Sequence, residues 1–240
     1  MKYAVIGWLL VSSGGCKDYS EDFARVDVVV SKPTLNPTTL EADGESQTQI
    51  EVVFLKDVPP EKAVVELKTT AGLFKETGKD AISLTAAIEQ KPDSSFHRAV
   101  RTQLINPATA GTVILTSRSV GYQRTDSILF TTALPDKVVI ESDKLGLKSG
   151  ADNAATITVS LLRNPGRGKP APNLLVELSL KDAGGTSRGE VRPSQALSGA
   201  DGKCKFLISR GSDLYPGDLY IQAKVVASGL MSDSYKIISI

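Results

Sequence analysis

His97 is the only imidazole in the chain, and it stands in Ser94-Ser95-Phe96-His97-Arg98. A hydrolase triad needs such a base oriented by an acid, with a nucleophile exposed on a strained turn. Neither context surrounds His97, which therefore reads as a loop or strand-surface residue. The only thiols are Cys16 and Cys204, and one histidine with one free thiol does not assemble a zinc site. Asp43, Asp152 and Asp201 are isolated turn acids. They lack the Asp-x-Asp-x-Asp-Gly spacing of an EF-hand calcium loop. No glycine loop opening a helix is present to cradle a phosphate. The sequence thus predicts no catalytic residue, no metal ligand, no bound cofactor and no enzymatic activity.

Binding chemistry is the remaining class. Lys and Arg number 28 against 27 for Asp and Glu, so no basic field draws in nucleic acid. Aromatic residues make up 5% of the chain, which leaves few rings for stacking on sugars. The candidates for ligand contact are Tyr122 in the Gly121-Tyr122 turn, Tyr215 in a loop, and Tyr220, which should point outward from Leu219-Tyr220-Ile221. Each could equally be an ordinary packing or edge tyrosine. The basic stretch Arg163-Asn164-Pro165-Gly166-Arg167-Gly168-Lys169 reads as a loop, either solvated or able to meet an acidic partner.

The elements that carry these residues are short and alternating. Gln49-Ile50-Glu51-Val52-Val53-Phe54 and Thr156-Ile157-Thr158-Val159-Ser160-Leu161 alternate apolar with polar, as half-buried antiparallel strands do. Cys204, Phe206 and Ile208 share one face at the same period, which predicts a small buried hydrophobe at Cys204. The runs recur about 110 residues apart, a domain-sized repeat. Val65-Glu66-Leu67 matches Val176-Glu177-Leu178, Ala71-Gly72 matches Ala183-Gly184, and Gly111 to Leu115 matches Gly217 to Ile221. Asp126-Ser127 matches Asp233-Ser234, each expected just before the last strand of its copy. The predicted class is all-β, with two tandem antiparallel sandwiches at 26–134 and 135–240. They are joined by Thr132-Ala133-Leu134-Pro135-Asp136-Lys137, a joint short enough to restrict swing.

The amino end reads as a processing signal. Lys2 gives a positive start, Tyr3 to Val11 a short apolar run, and Ser12 to Gly15 small residues before Cys16. The run is about half of the roughly 20 residues that span a bilayer. A buried first strand is the competing reading. The small residues before Cys16 resemble the lipobox of bacterial lipoproteins, with Ser13 where the stricter form has leucine. The resemblance implies a signal peptide at 1–15, cleavage after Gly15 and acylation of Cys16, followed by a tether at 16–25. Lys17-Asp18-Tyr19-Ser20-Glu21-Asp22 resembles the lysine-plus-acidic export signal of surface lipoproteins, or is a solvated spacer.

The second copy carries a further resemblance. Lys169-Pro170-Ala171-Pro172-Asn173 precedes a valine-bearing strand, Asp201-Gly202-Lys203 suggests a hairpin turn, and Gly217 opens another strand. This pattern is similar to bacterial Ig-like domains of the invasin and intimin type. A transthyretin-like or carboxypeptidase-regulatory sandwich is the fold alternative. In the first copy His97-Arg98-Ala99 stands where Asp-Gly-Lys is expected. Asp126-Ser127-Ile128 resembles a short O-glycosylation acceptor, unless Ser127 is a strand position.

Together these readings imply a lipid-anchored protein of the outer membrane, on the cell surface or the periplasmic face. It would act as a binding, adhesion or spacer module toward a protein or glycan. A glycan-binding accessory lipoprotein of an outer-membrane uptake system is the alternative. A monomer is expected, elongated to roughly 70–90 Å if two sandwiches of ordinary strand length lie end to end.

Overall fold

The computed structural model describes residues 29–55, 58–90, 96–148, 153–213 and 215–240. The segments 1–15 and 16–25, with Cys16, and Asp152 lie outside the described residues. Among the described residues, ten strands form the first half. They are β1 (Thr34–Asn36), β2 (Glu41–Ala42), β3 (Gln47–Val53), β4 (Val64–Thr69), β5 (Leu73–Phe74), β6 (Ala81–Thr85), β7 (Ala87–Gln90), β8 (Phe96–Ile105), β9 (Gly111–Ser119) and β10 (Tyr122–Thr132). Nine follow in the second: β11 (Lys137–Ser142), β12 (Gly146–Leu147), β13 (Ala155–Leu162), β14 (Leu175–Asp182), β15 (Glu190–Arg192), β16 (Gln195–Leu197), β17 (Lys203–Ser209), β18 (Gly217–Val225) and β19 (Tyr235–Ser239). Among the described residues, no helix is long and apolar enough to cross a membrane.

The chain folds as two tandem Ig-like β-sandwiches, and their sheet orders match. In the first half β1-β3-β8-β5, with β7 also on β8, faces β2-β10-β9-β4-β6; in the second β11-β13-β17-β15 faces β12-β19-β18-β14-β16. The ladders are antiparallel except for two short pairings. β2 runs parallel to β10, and β12 parallel to β19, so the first edge of each sandwich crosses from one sheet to the other. The alternating runs explain why two sheets close on each other. Ile50, Val52 and Phe54 are buried in one core, and Ile157, Val159, Leu161, Phe206 and Ile208 in the other.

Single hydrogen bonds fix the equivalence of the halves. Phe54 N–H donates to Arg98 O at 2.8 Å, and Leu161 N–H to Gly202 O at 2.9 Å. Thr131 N–H donates to Leu40 O at 2.9 Å, and Ile240 N–H to Leu147 O at 2.9 Å. Gly111 and Gly217 open equivalent strands with φ of 151° and 134°, a region that favours glycine.

Three sequence expectations shift. Asp201-Gly202 makes a tight turn, with Gly202 N–H donating to Gly199 O at 3.0 Å. However, β16 pairs with β14 and β17 with β13, so the turn links two sheets and is not a hairpin. His97-Arg98-Ala99 occupies the equivalent place but lies in β8, which β7 lengthens by pairing Ala87 to Ala99 and Gln90 to Phe96. Asp126 and Ser127 sit within β10, paired to Leu115 and Ile114, rather than before the last strand. Ser127 is therefore an exposed strand position.

Candidate functional site

The strand directions give the second sandwich two poles. β11 begins and β13 ends where the chain enters from the first sandwich, with Lys137 opposite Leu162. At the far pole β14 ends at Asp182, β17 at Ser209, and β18 starts at Gly217 opposite Ser239. The loops between these strands bring Asp182, Arg188, Arg210, Asp213 and Tyr215 together.

This cluster is knotted by charge-assisted bonds. The Arg188 guanidinium lies over the Tyr215 ring at 4.6 Å from its centroid and donates Nε–H to Asp182 Oδ2 at 2.9 Å. The Thr186 backbone N–H, and then Arg188, hold Asp182 below the usual carboxylate range. Asp213 accepts the N–H of Tyr215 at 2.9 Å and of Gly189 at 3.2 Å. Those bonds, the Tyr215 one foremost, also hold its carboxyl low. Buried Arg210 donates to Asp213 O at 3.1 Å and to Ile240 O. Ser239 donates its hydroxyl to Tyr215 O at 2.7 Å. Tyr215 is half-buried against the core, so its ring is rigidly held.

The other tyrosines lie elsewhere. Tyr220 is on β18, opposite Lys181 and Lys236. Tyr122 packs half-buried on the core of the first sandwich, opposite Ser119. Tyr215 and Tyr220 thus belong to one sandwich and Tyr122 to the other, and the three form no single cluster.

His97 lies on the outer face of the first sandwich, with Glu51 and Glu89 on the flanking strands. One ligand atom from each falls within 4.8 Å of the others, a spacing that could hold a cation. Arg101 occupies that place. It donates to Glu51 at 2.6 Å and to Glu89, and the Glu51 bond above all holds the guanidinium above its ordinary pKa. His97 Nε2 stands 3.8 Å from Glu89. A guanidinium that neutralises both carboxylates removes the charge a metal would need.

Cys204 is buried on β17, and burial pushes its thiol up to about 11. A shallow groove of about 450 Å³ runs over the outer face of β9, β4 and β6, lined by Glu66, Lys68, Ser83, Thr116 and Arg118. The basic stretch from Arg163 to Lys169 does meet acidic groups, and they belong to this same chain: Glu41, Asp43, Glu45 and Asp136. Sequence reasoning missed this pairing because Arg163 and Glu41 are 122 residues apart and loop charges carry no periodic signal.

No protein-family model and no curated protein matches the chain. Solved structures do. The adhesin InvE of Yersinia pseudotuberculosis matches with a TM-score of 0.50 at 14% identity, covering 90% of this chain and 61% of the adhesin. This chain therefore spans less than two thirds of that structure. The D1–D4 ectodomain fragment of ICAM-5 matches with a TM-score of 0.39 at 13% identity, covering 88% of this chain and 54% of the fragment. A β-glycosidase from Bacteroides vulgatus gives 0.33 at 14% identity, covering 86% and 25%. The likeness to the adhesin is one of fold, and it agrees with two Ig-like sandwiches in tandem.

Proposed function

We propose that this chain is a non-enzymatic lipoprotein of the bacterial cell envelope. It is anchored in the outer membrane through acylated Cys16 and acts as a binding, adhesion or spacer module. Its contacts with a protein or glycan concentrate on the far pole of the second sandwich. The carrying observation is the contrast between equivalent poles. Leu40 corresponds to Leu147 by their matching hydrogen bonds to Thr131 and Ile240, and the spacing from Leu40 to Ile50 equals that from Leu147 to Ile157. Glu41, which receives Arg163 and Arg167, therefore corresponds to Lys148. The acid that docks a sandwich in the first copy is thus replaced by a base at the equivalent position of the second.

In place of the docking acid, the far pole offers Lys148, the Arg188–Tyr215 stack and the exposed side chains of Leu145, Ile238 and Ile240. Loops at sandwich ends are the usual place for recognition. The fold shared with an adhesin along most of the chain supports a binding role.

Cross-linking in intact cells followed by mass spectrometry tests the proposal. Arg188→Ala with Tyr215→Ser should strongly reduce the recovered partner while the chain stays folded. Undiminished recovery would move the contact off the far pole. Retention on immobilised polysaccharide, lost in the same variant, would identify the partner as a glycan.

A further inference from the structure

The loop from Arg163 to Lys169 reaches across to the first sandwich, and its partners on both sides are already fixed. The Arg163 side chain is 0% exposed and the Asp43 side chain 1%. Arg163 pairs with Glu41 through Nη2 and stands 3.6 Å from Asp43 Oδ2 through Nη1. Arg167 donates to Glu41 at 2.9 Å and to Asp136 at 2.7 Å. Lys169 reaches Glu45 at 2.7 Å on the exposed rim.

The acidic side is held by its own backbone. Asp43 accepts the N–H of Glu45 at 3.0 Å and of Ser46 at 2.9 Å on Oδ1, which leaves Oδ2 toward Arg163. Glu41 O accepts Asn106 Nδ2–H at 3.0 Å, and Asn106 Oδ1 accepts the Thr48 hydroxyl at 2.6 Å. The basic side is held likewise. Asp136 accepts the Asn164 N–H at 2.9 Å, and Ala171 N–H donates to Ala133 O at 2.8 Å. Gly168 has φ +71°, and a Cβ there would lie 2.4 Å from Asp43 Oδ2, so only glycine lets the loop backbone approach the carboxylate so closely.

We propose that Arg163 and Arg167 form an arginine staple that locks the second sandwich onto the first, so that the tandem moves as one body without a bound cation at the joint. A short proline-containing linker limits swing but does not set an angle. The staple sets one, because each planar guanidinium bridges two carboxylates, Arg163 between Glu41 and Asp43 and Arg167 between Glu41 and Asp136, and such charge-assisted contacts are directional. Glu41, Asp43, Glu45 and Asp136 would make an acidic joint, and the two guanidinium groups with the Lys169 ammonium offset most of that charge from within. The inference is independent of what the far pole binds.

Double electron–electron resonance on the full chain tests it, with spin labels carried on unnatural ketone side chains at exposed Ser127 and Lys205. The expected result is a narrow distance distribution, unchanged by calcium or by a chelator. Arg163→Met should broaden it at least about two-fold, as a joint released to linker control would. Because Arg163→Met takes the facing guanidinium from buried Asp43, Arg167→Met at the more exposed partner provides a second variant, with circular dichroism reporting the fold of each. A broad wild-type distribution, a calcium-dependent width, or an unchanged width in folded Arg167→Met and Arg163→Met chains would each overturn the staple.

Discussion

Cys204 is the one described thiol, and it faces the core beside Val159 and Phe206. With its thiol pushed up to about 11, the thiolate that reacts with electrophiles is scarce at neutral pH. Native chain should therefore label at Cys204 only as fast as it unfolds, and denaturant should release fast labelling. Rapid native labelling would mean that β17 is turned over, since a one-residue slip exchanges the faces of a strand. The far-pole aspartates make a pH statement with a definite sign. Asp182 and Asp213 both titrate below their ordinary value of 3.8. Their contribution to loop order is thus present above that value and lost as pH falls through the lower folded values. Amide signals of Thr186, Gly189 and Tyr215 should hold from pH 7 to about 4 and disperse only below it. Dispersal already near pH 6 would contradict the hydrogen-bonded cluster.

At the scale of elements, stability rests on the inward faces of the central strands. Leu161 is 1% exposed on β13, and Leu161→Ala should cost about 2–5 kcal/mol in a denaturant titration. Gly217→Ala tests the strand entry instead. At φ of +134° an alanine is strained by about 1–3 kcal/mol, and Gly111→Ala should cost a similar amount in the first sandwich. A neutral result at both positions would dissolve the structural repeat. The alternation of Ile50, Val52, Phe54 and of Ile157, Val159, Leu161 was legible because one face of each strand must leave water. The duplication was legible for the same reason, and Val65 and Val176 indeed occupy the equivalent strands β4 and β14. The start of β10 was not. Tyr122, Arg124 and Asp126 are polar or amphipathic along the half-buried face, and Arg124 is paired to Asp126 at 2.8 Å, so the strand carries no apolar signal until Ile128. The far-pole cluster was visible only as Tyr215, because Arg188 and Asp182 reach it from another loop.

For the whole molecule, three ideas combine: a lipid at one end, a stapled joint in the middle and a distinct pole at the other end. Cys16→Ser should block acylation and release the chain from the membrane fraction or leave it unprocessed. Unchanged mature mass and detergent partitioning would contradict the anchor. A fixed joint suits a module that holds its far pole away from its anchor, since flexible tandem domains spread their ends over many positions. With Lys148 in place of the docking acid Glu41, the contact proposed for the far pole would be with something other than a further copy of the same loop. The central claim is that this pole makes the contact. Photo-cross-linking in intact cells tests it most directly, with a photoreactive side chain at Tyr215 in one chain and at Ser83, in the groove of the first sandwich, in another. The account predicts a discrete adduct from the Tyr215 position and none from Ser83. An adduct from Ser83 alone would contradict it.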